Sequence, residues 1–201
     1  MVLYEKREMF NGISVKVGIL FSKFGLTPNQ WTLLSLLPAI VAFYFLFQQQ
    51  FLVAAGFFIV AGFLDFVDGS VARVTGRVSK FGGYLDTVVD RYIEFLVILG
   101  LFFVPAPAIM TIGYNVWILL YLFGAMMTTY VKAAAKEKEL VEKEIKGGLL
   151  ERAERIVLLF IAIIAAQFSL YYLAALVAVL AVATNLTALQ RIMIARKNAK
   201  A

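Results

Sequence analysis

A chain of 201 residues, 62% of them hydrophobic, carries more apolar surface than the core of one soluble domain hides, and it reads as a single-domain integral membrane protein. With no cysteine and no histidine, disulfides, thiolate chemistry and imidazole bases or ligands are excluded, so acid–base and metal work falls to Asp and Glu. The net charge of +6 suits an anionic membrane surface or an anionic substrate, and does not by itself point to nucleic acid.

The N-terminal stretch MVLYEKREMF lacks the basic-then-apolar layout of a cleaved signal peptide. From Glu5 to Phe24, the apolar residues Met9, Phe10, Ile13, Val17, Leu20, Phe21 and Phe24 recur at helical spacing, with Lys6, Arg7, Lys16 and Lys23 among the polar positions. That pattern predicts an amphipathic helix over 5–24 lying on the cytoplasmic membrane surface. LTPNQWT (26–32) ends it, with Pro28 stopping one helix and Trp31 expected to anchor the next at the interface.

No charged side chain occurs from Phe24 to Leu64, from Phe95 to Val131 or from Ile156 to Gln190, stretches of 41, 37 and 35 residues. A spanning helix needs ~20 apolar residues, so each stretch fits two spans and a tight turn. The turns are expected at FQQQF (47–51), VPAPA (104–108) and AQFSL (166–170). The expected fold class is thus all-α, with six transmembrane helices over 31–47, 51–73, 82–103, 112–135, 150–167 and 170–192. All 19 Lys and Arg lie at the termini or near the other loops. This predicts a multi-pass protein of the cell membrane with both termini, and the charged loops, in the cytoplasm. After the fourth span, KEKELVEKEIKGG (136–148) reads as a solvated helix supported by Glu139–Lys143 and Glu142–Lys146 pairs and closed by Gly147-Gly148.

Between the second and third spans, LDFVDGSVARVTGRVSKFGGYLDTVVDR (64–91) holds four aspartates. Asp65 and Asp68 are spaced i,i+3 and share a helix face; Asp86 and Asp90 are spaced i,i+4 on the next helix. The short linker lets the two faces meet near the cytoplasmic boundary. Each charge costs ~2.5–3.5 kcal/mol at mid-bilayer, and mutual repulsion adds to that, so convergence implies a bound hard cation such as Mg²⁺ or Mn²⁺. The plainer alternative pairs these carboxylates with Arg73, Arg77, Lys80 and Arg91. Gly69, Ala72 and Gly82 argue for the first reading, because small residues let a ligand approach the backbone, and Arg73 offers a fork for a phosphate.

The full pattern, Asp65-x2-Asp68-Gly69-x2-Ala72-Arg73-x8-Gly82-x3-Asp86-x3-Asp90, resembles the signature of the CDP-alcohol phosphotransferases, with all eight fixed residues at the family spacing. The resemblance implies transfer of a phosphoalcohol group from a CDP-linked lipid donor to an acceptor hydroxyl, with release of CMP. It implies two metal ions, Mg²⁺ or Mn²⁺, held by Asp65, Asp68, Asp86 and Asp90. It further implies contacts from Gly69, Ala72, Arg73 and Gly82 to the CDP moiety, Asp90 as the catalytic base, and a homodimer. Thr32, at the cytoplasmic start of the first span, is placed either to reach the nucleotide or to serve only its own helix terminus.

Lys132, Arg152, Arg155 and Arg191 each sit at a cytoplasmic helix end. They are either a pocket for an acceptor phosphate or interfacial anchors. The local sequence, YVKA followed by GGLLERAER, is similar to phosphatidylinositol-phosphate synthases and their archaetidylinositol-phosphate counterparts, which implies inositol 1-phosphate as the phosphorylated polyol acceptor. Ala134 stands where the actinobacterial enzymes tend to have a basic residue, and the stretch from Lys132 to Arg152 is slightly longer, which leaves glycerol 3-phosphate open. Two rival classes use the same aspartates. A divalent-cation transporter would need polar residues continuing to the far side, and the outer halves of the spans carry no charge. A lipid-phosphate phosphatase would release phosphate rather than CMP.

Overall fold

The computed structural model of the chain describes residues 2–141, 145 and 147–199, with side chains described from Gly12 onward. Among these residues there are eight helices: α1 (Val2–Ser22), α2 (Pro28–Leu34), α3 (Leu36–Phe47), α4 (Phe51–Val74), α5 (Lys80–Phe102), α6 (Tyr114–Glu137), α7 (Arg152–Ala166) and α8 (Leu170–Asn198). The described residues contain no strand, only an isolated bridge between Ile109 and Ile112. The all-helical expectation holds. Four stretches are long and apolar enough to cross a membrane: Pro28–Phe47, Phe51–Val74, Tyr114–Glu137 and Leu170–Asn198. The other two expected spans differ for physical reasons. α5 carries Asp86, Asp90, Arg91 and Glu94 in its first two-thirds, and α7 has 15 residues, about 22 Å at 1.5 Å per residue.

The helices form two compact units. One runs up to Gln48 and includes Val53–Gly100; the other holds Gln49–Leu52 and the chain from Leu101 onward. In the first unit the entry to α2 is set locally. Thr27 and Gln30 make a capping box: the Gln30 amide donates to Thr27 Oγ1 at 3.3 Å and the Thr27 amide to Gln30 Oε1 at 2.8 Å, with Pro28 in the first helical turn. Trp31 is not an interfacial anchor. It is buried against Val67 and Val71, with Val17, Phe21, Leu26, Leu34 and Leu64 around it, and Phe21 meets it edge-on at 5.3 Å. A bulky ring gains more from this enclosed contact with α1 and α4 than from the headgroup level.

In the second unit, α6, α7 and α8 pack together, and Asn185 of α8 donates from Nδ2 to the Leu120 carbonyl of α6 at 2.9 Å. Among the described residues, α6 does not continue past Glu137 as the sequence pattern expects. α6 ends at Glu137, and Glu139 turns the chain with φ 55°. Ile145 is buried with Ala135 and Ala195, with Val141 beside them. Burying that isoleucine outweighs the few tenths of a kcal/mol that exposed i,i+4 pairs offer. Lys143, Glu142 and Lys146, and hence both expected pairs, lie outside the described residues.

The outward faces are apolar. Leu37, Ile40 and Tyr44 of α3, Leu52, Ile59 and Phe63 of α4, Leu119 and Phe123 of α6, and Val179, Val182 and Leu186 of α8 are all exposed. Contiguous apolar exposure of this kind suits hydrocarbon rather than water as the surrounding solvent.

Candidate active site

Three carboxylates meet as the spacing predicts. Asp65 and Asp68 of α4 and Asp86 of α5 each place an oxygen within 4.8 Å of the others. Asp90, one turn further along α5, is buried at 4% exposure and stands outside that set of three. Asp68 is also buried, and Thr32 of α2 donates its hydroxyl to Asp68 Oδ2. This places Thr32 against a carboxylate, a role different from both expectations for it. Hard oxygen donors in this number and closeness fit Mg²⁺ or Mn²⁺.

The set borders a cavity of about 360 Å³ within the first unit. Every residue expected to contact the CDP moiety lines it: Thr32, Gly69, Ala72, Arg73 and Gly82, together with Asp68 and Asp86. Pro28, Asn29, Arg77, Val78, Ser79 and Gly83 complete the lining. Sequence reasoning had not assigned Asn29 or Ser79 to the site. Ser79 had a readable signal, since it precedes α5 as a cap residue should, and its Oγ accepts the Gly82 amide at 2.9 Å. Asn29 sits one residue past Pro28, and its Oδ1 would be 3.2 Å from a Cβ at position 82, so glycine there keeps the cavity open between α2 and α5.

Two of the cations near the aspartates, Arg73 and Arg91, have settled partners. Arg73 Nη2 donates to Ser14 Oγ at 2.8 Å and to Ser70 Oγ at 3.3 Å. Arg91 Nη1 pairs with Glu94 Oε2 at 2.6 Å, and Glu94 is 5% exposed. Glu94 was missed in the sequence because it lies one turn beyond the four-aspartate pattern. It gives Arg91 a buried carboxylate partner one turn away on the same helix.

In the second unit, two of the four expected acceptor-site cations come together on Thr128 of α6. Arg155 of α7, 2% exposed, donates from Nη1 to Thr128 Oγ1 at 2.9 Å. Arg191 of α8 donates from Nη1 to the Thr128 carbonyl at 2.7 Å and from Nε to the Gly147 carbonyl at 3.0 Å. Gly147 and Gly148 have φ 90° and 124°, conformations that only glycine adopts without strain, and this aims the Gly147 carbonyl at Arg191. Thr187 Oγ1 and Gln190 Oε1 of α8 accept the Leu150 and Leu149 amides, which docks the loop on α8. Glu151 and Glu154 cap α7 reciprocally: the Glu151 amide donates to Glu154 Oε2 at 2.9 Å. Arg152 begins α7, one turn before Arg155, and Lys132 lies one turn beyond Thr128 on α6; both are half-buried.

Comparison with known proteins agrees with this chemistry. The chain is 34% identical over 155 residues to the archaetidylinositol phosphate synthase of Pyrococcus horikoshii, covering 73% of this chain and 74% of that protein. It is 30% identical over 188 residues to the phosphatidylinositol phosphate synthase of Mycobacteroides abscessus, covering 92% and 84%. Its fold matches the phosphatidylinositol phosphate synthase of Mycobacterium tuberculosis with CDP-DAG bound, at a TM-score of 0.80 and 24% identity over 91% of this chain and 93% of that one. The same enzyme in complex with manganese and citrate matches at a TM-score of 0.79 and 25% identity, over 91% and 88%. Residues 25–196, which contain the aspartates, the cavity and all four cations, match the CDP-alcohol phosphatidyltransferase family, and the chain belongs to that family.

Proposed function

We propose that the protein transfers the phospholipid group of a CDP-activated lipid, CDP-diacylglycerol or CDP-archaeol, to a hydroxyl of inositol 1-phosphate and releases CMP. The observation that carries this reading is the gathering of Asp65, Asp68 and Asp86 beside a cavity lined by Gly69, Ala72, Arg73 and Gly82. Asp65, Asp68, Asp86 and Asp90 would hold two divalent ions, Mg²⁺ or Mn²⁺, which supply neutralisation of the pyrophosphate and of the charge that develops on the leaving oxygen. Gly69, Ala72 and Gly82 give the nucleotide room, and Arg73 turns a guanidinium edge to its phosphates. Asp90 accepts the proton of the attacking hydroxyl. The new bond joins that oxygen to the phosphorus bearing the lipid, the bond from that phosphorus to the bridging oxygen breaks, and CMP departs with the electron pair. Lys132, Arg152, Arg155 and Arg191 bind the acceptor's own phosphate. The inositol assignment is supported by the two relatives above, whose names are those of inositol-phosphate-type synthases.

The reading extends to topology. The four long apolar segments, together with α5 and α7, make six crossings, with α1 on the cytoplasmic face, both termini inside, and the reaction on that side of the cell membrane. The one-sided placement of Lys and Arg supports this, and the family resemblance supports a homodimer. An acceptor screen with radiolabelled CDP-diacylglycerol and CDP-archaeol tests the chemistry. CMP release should require inositol 1-phosphate. Release with glycerol 3-phosphate alone would move the assignment to a glycerophosphate acceptor, a possibility kept open by Ala134, and release of phosphate without acceptor would replace transfer by hydrolysis. Topology is tested in sealed cells with an impermeant thiol reagent. Cysteines at Gln49, Ala106 and Phe168 should label and those at Lys138 and Lys197 should not; labelling at Lys138 from outside would refute six crossings.

A further inference from the structure

Arg73 is the one cation among the residues expected to hold the CDP moiety, and its side chain is set by a residue of the N-terminal helix. Its Nη2 donates to Ser14 Oγ at 2.8 Å and Ser70 Oγ at 3.3 Å. Ser14 and Ser70 are themselves 2.9 Å apart, and Ser70 Oγ lies 2.8 Å from the Phe66 carbonyl. A hydroxyl has one proton, and a carbonyl can only accept. Ser70 therefore gives its proton to Phe66, so Ser14 must give its own to Ser70. That leaves Ser14 facing Arg73 purely as an acceptor. The polarity of the relay, Arg73 to Ser14 to Ser70 to the α4 backbone, is fixed at every step, and both serines are buried.

This engages Nη2 and leaves Nη1 for another acceptor. Nη1 lies over Gly69, 3.2 Å from where a Cβ at that position would be, at the wall of the cavity. The nitrogen held by the serines is thus distinct from the one that lies over Gly69 at the cavity wall. The approach of α1 that makes this possible depends on Gly18, one turn beyond Ser14: a Cβ there would lie 2.5 Å from the Ser70 carbonyl oxygen and 2.6 Å from Val74 Cγ2. Ser14 and Gly18 face inward, while Ile13, Ile19 and Leu20 of the same helix are exposed.

We infer that Ser14 is a positioning residue for donor binding, holding Arg73 so that its Nη1 meets the phosphates of the CDP-lipid; this rests on the donor assignment above. A freed Arg73 would have to be ordered by the donor itself, which weakens donor binding and leaves acceptor binding alone. The test uses the full chain in detergent with Mn²⁺ and radiolabelled CDP-diacylglycerol, without acceptor. Ser14→Ala should raise the donor Kd about tenfold, the worth of one charge-assisted hydrogen bond. Ser14→Thr, which keeps the hydroxyl, should restore affinity. Ser14→Cys, which keeps the volume but accepts weakly, should behave like Ser14→Ala and separates lost bonding from lost packing. In turnover assays the donor KM should rise while the acceptor KM stays fixed. In an Arg73→Ala background, Ser14→Ala should add nothing. Wild-type donor affinity in both Ser14→Ala and Ser14→Cys would overturn the inference, as would an undiminished effect in the Arg73→Ala background. Failure of the wild-type chain to bind CDP-diacylglycerol would instead remove the donor assignment, so the two failures are distinguishable.

Discussion

The two units gather charge in different ways. In the first, like charges are set out by helix periodicity, Asp65 and Asp68 one turn apart on α4, Asp86 and Asp90 one turn apart on α5, and three of them meet where the two helices face each other, with small residues keeping space beside them. In the second, like charges converge because backbone carbonyls and a hydroxyl hold them, with Arg155 and Arg191 both bonded to Thr128 and Arg191 also to Gly147. Carboxylates held close by helix geometry remain mutually repulsive and create a demand for a cation. The guanidiniums spend part of their donor capacity on Thr128 and Gly147, which places two cations side by side at one end of the second unit, an arrangement that suits binding an anion.

The largest effect should come from the aspartates. Asp65→Asn or Asp86→Asn should cut turnover by about 10²–10³-fold or more, the scale of losing a major charge-stabilising element at the reacting centre. EDTA should do the same reversibly, with activity returning on Mg²⁺ or Mn²⁺. If repulsion within the three-carboxylate set is real, either variant should also unfold at a higher temperature than wild type when both are metal-free, because one like charge has been removed. Full activity after exhaustive dialysis against EDTA would break the first half of the comparison, and a lower metal-free Tm in both variants would break the second.

An intermediate effect is expected on the basic side, with opposite consequences for stability. Arg191→Gln and Arg152→Gln should each raise the acceptor KM about 10–100-fold, the loss of charge-assisted bonds worth ~1.5–3 kcal/mol, with the donor KM nearly unchanged. Arg191→Gln should also lower Tm, since it removes two bonds that join α8 to α6 and to the Gly147 loop. If both variants keep the wild-type acceptor KM, the cations are interfacial anchors and an unphosphorylated alcohol becomes the better acceptor.

The same contrast governs what was legible in the sequence. The aspartate pattern, the glycines and Arg73 could be read because their spacing repeats within about one helical turn on each of two neighbouring helices, and the hairpin turns followed from the spacing of charge. The partners of the basic residues could not. Arg191 reaches Thr128 across 63 positions and Gly147 across 44, Ser14 reaches Arg73 across 59, and no local periodicity encodes such pairs. Trp31 and the stretch after Glu137 were misjudged for a related reason. Local preference placed the indole at the interface and the charged run in a helix, and tertiary burial of Trp31 against Val67 and of Ile145 against Ala195 overrode both. The sequence allows Thr32 two roles, and the structure introduces a third.

That third role gives the smallest expected effect and the finest test of how the acidic side is built. Thr32 Oγ1 lies 3.1 Å from the Pro28 carbonyl and closer still to Asp68 Oδ2, and its single proton goes to the carboxylate, where the bond is charge-assisted. A hydrogen bond of this kind fixes which Asp68 oxygen faces Asp65 and Asp86, as residues behind a metal ligand commonly do, and their loss costs metal affinity on the order of tenfold. Thr32→Val keeps the shape and removes the donor; Thr32→Ser keeps the donor. The Mn²⁺ concentration for half-maximal activity should therefore rise about tenfold in Thr32→Val and recover in Thr32→Ser, with saturating Mn²⁺ restoring most of kcat and the KM for CDP-lipid changing little. If Thr32 instead acts by touching the nucleotide, the pattern inverts: the donor KM rises, no concentration of Mn²⁺ corrects it, and the metal dependence stays that of wild type. Thr32 lines the cavity as well as bonding Asp68, so the two outcomes decide whether α2 contributes to the site through its metal ligands or through its substrate.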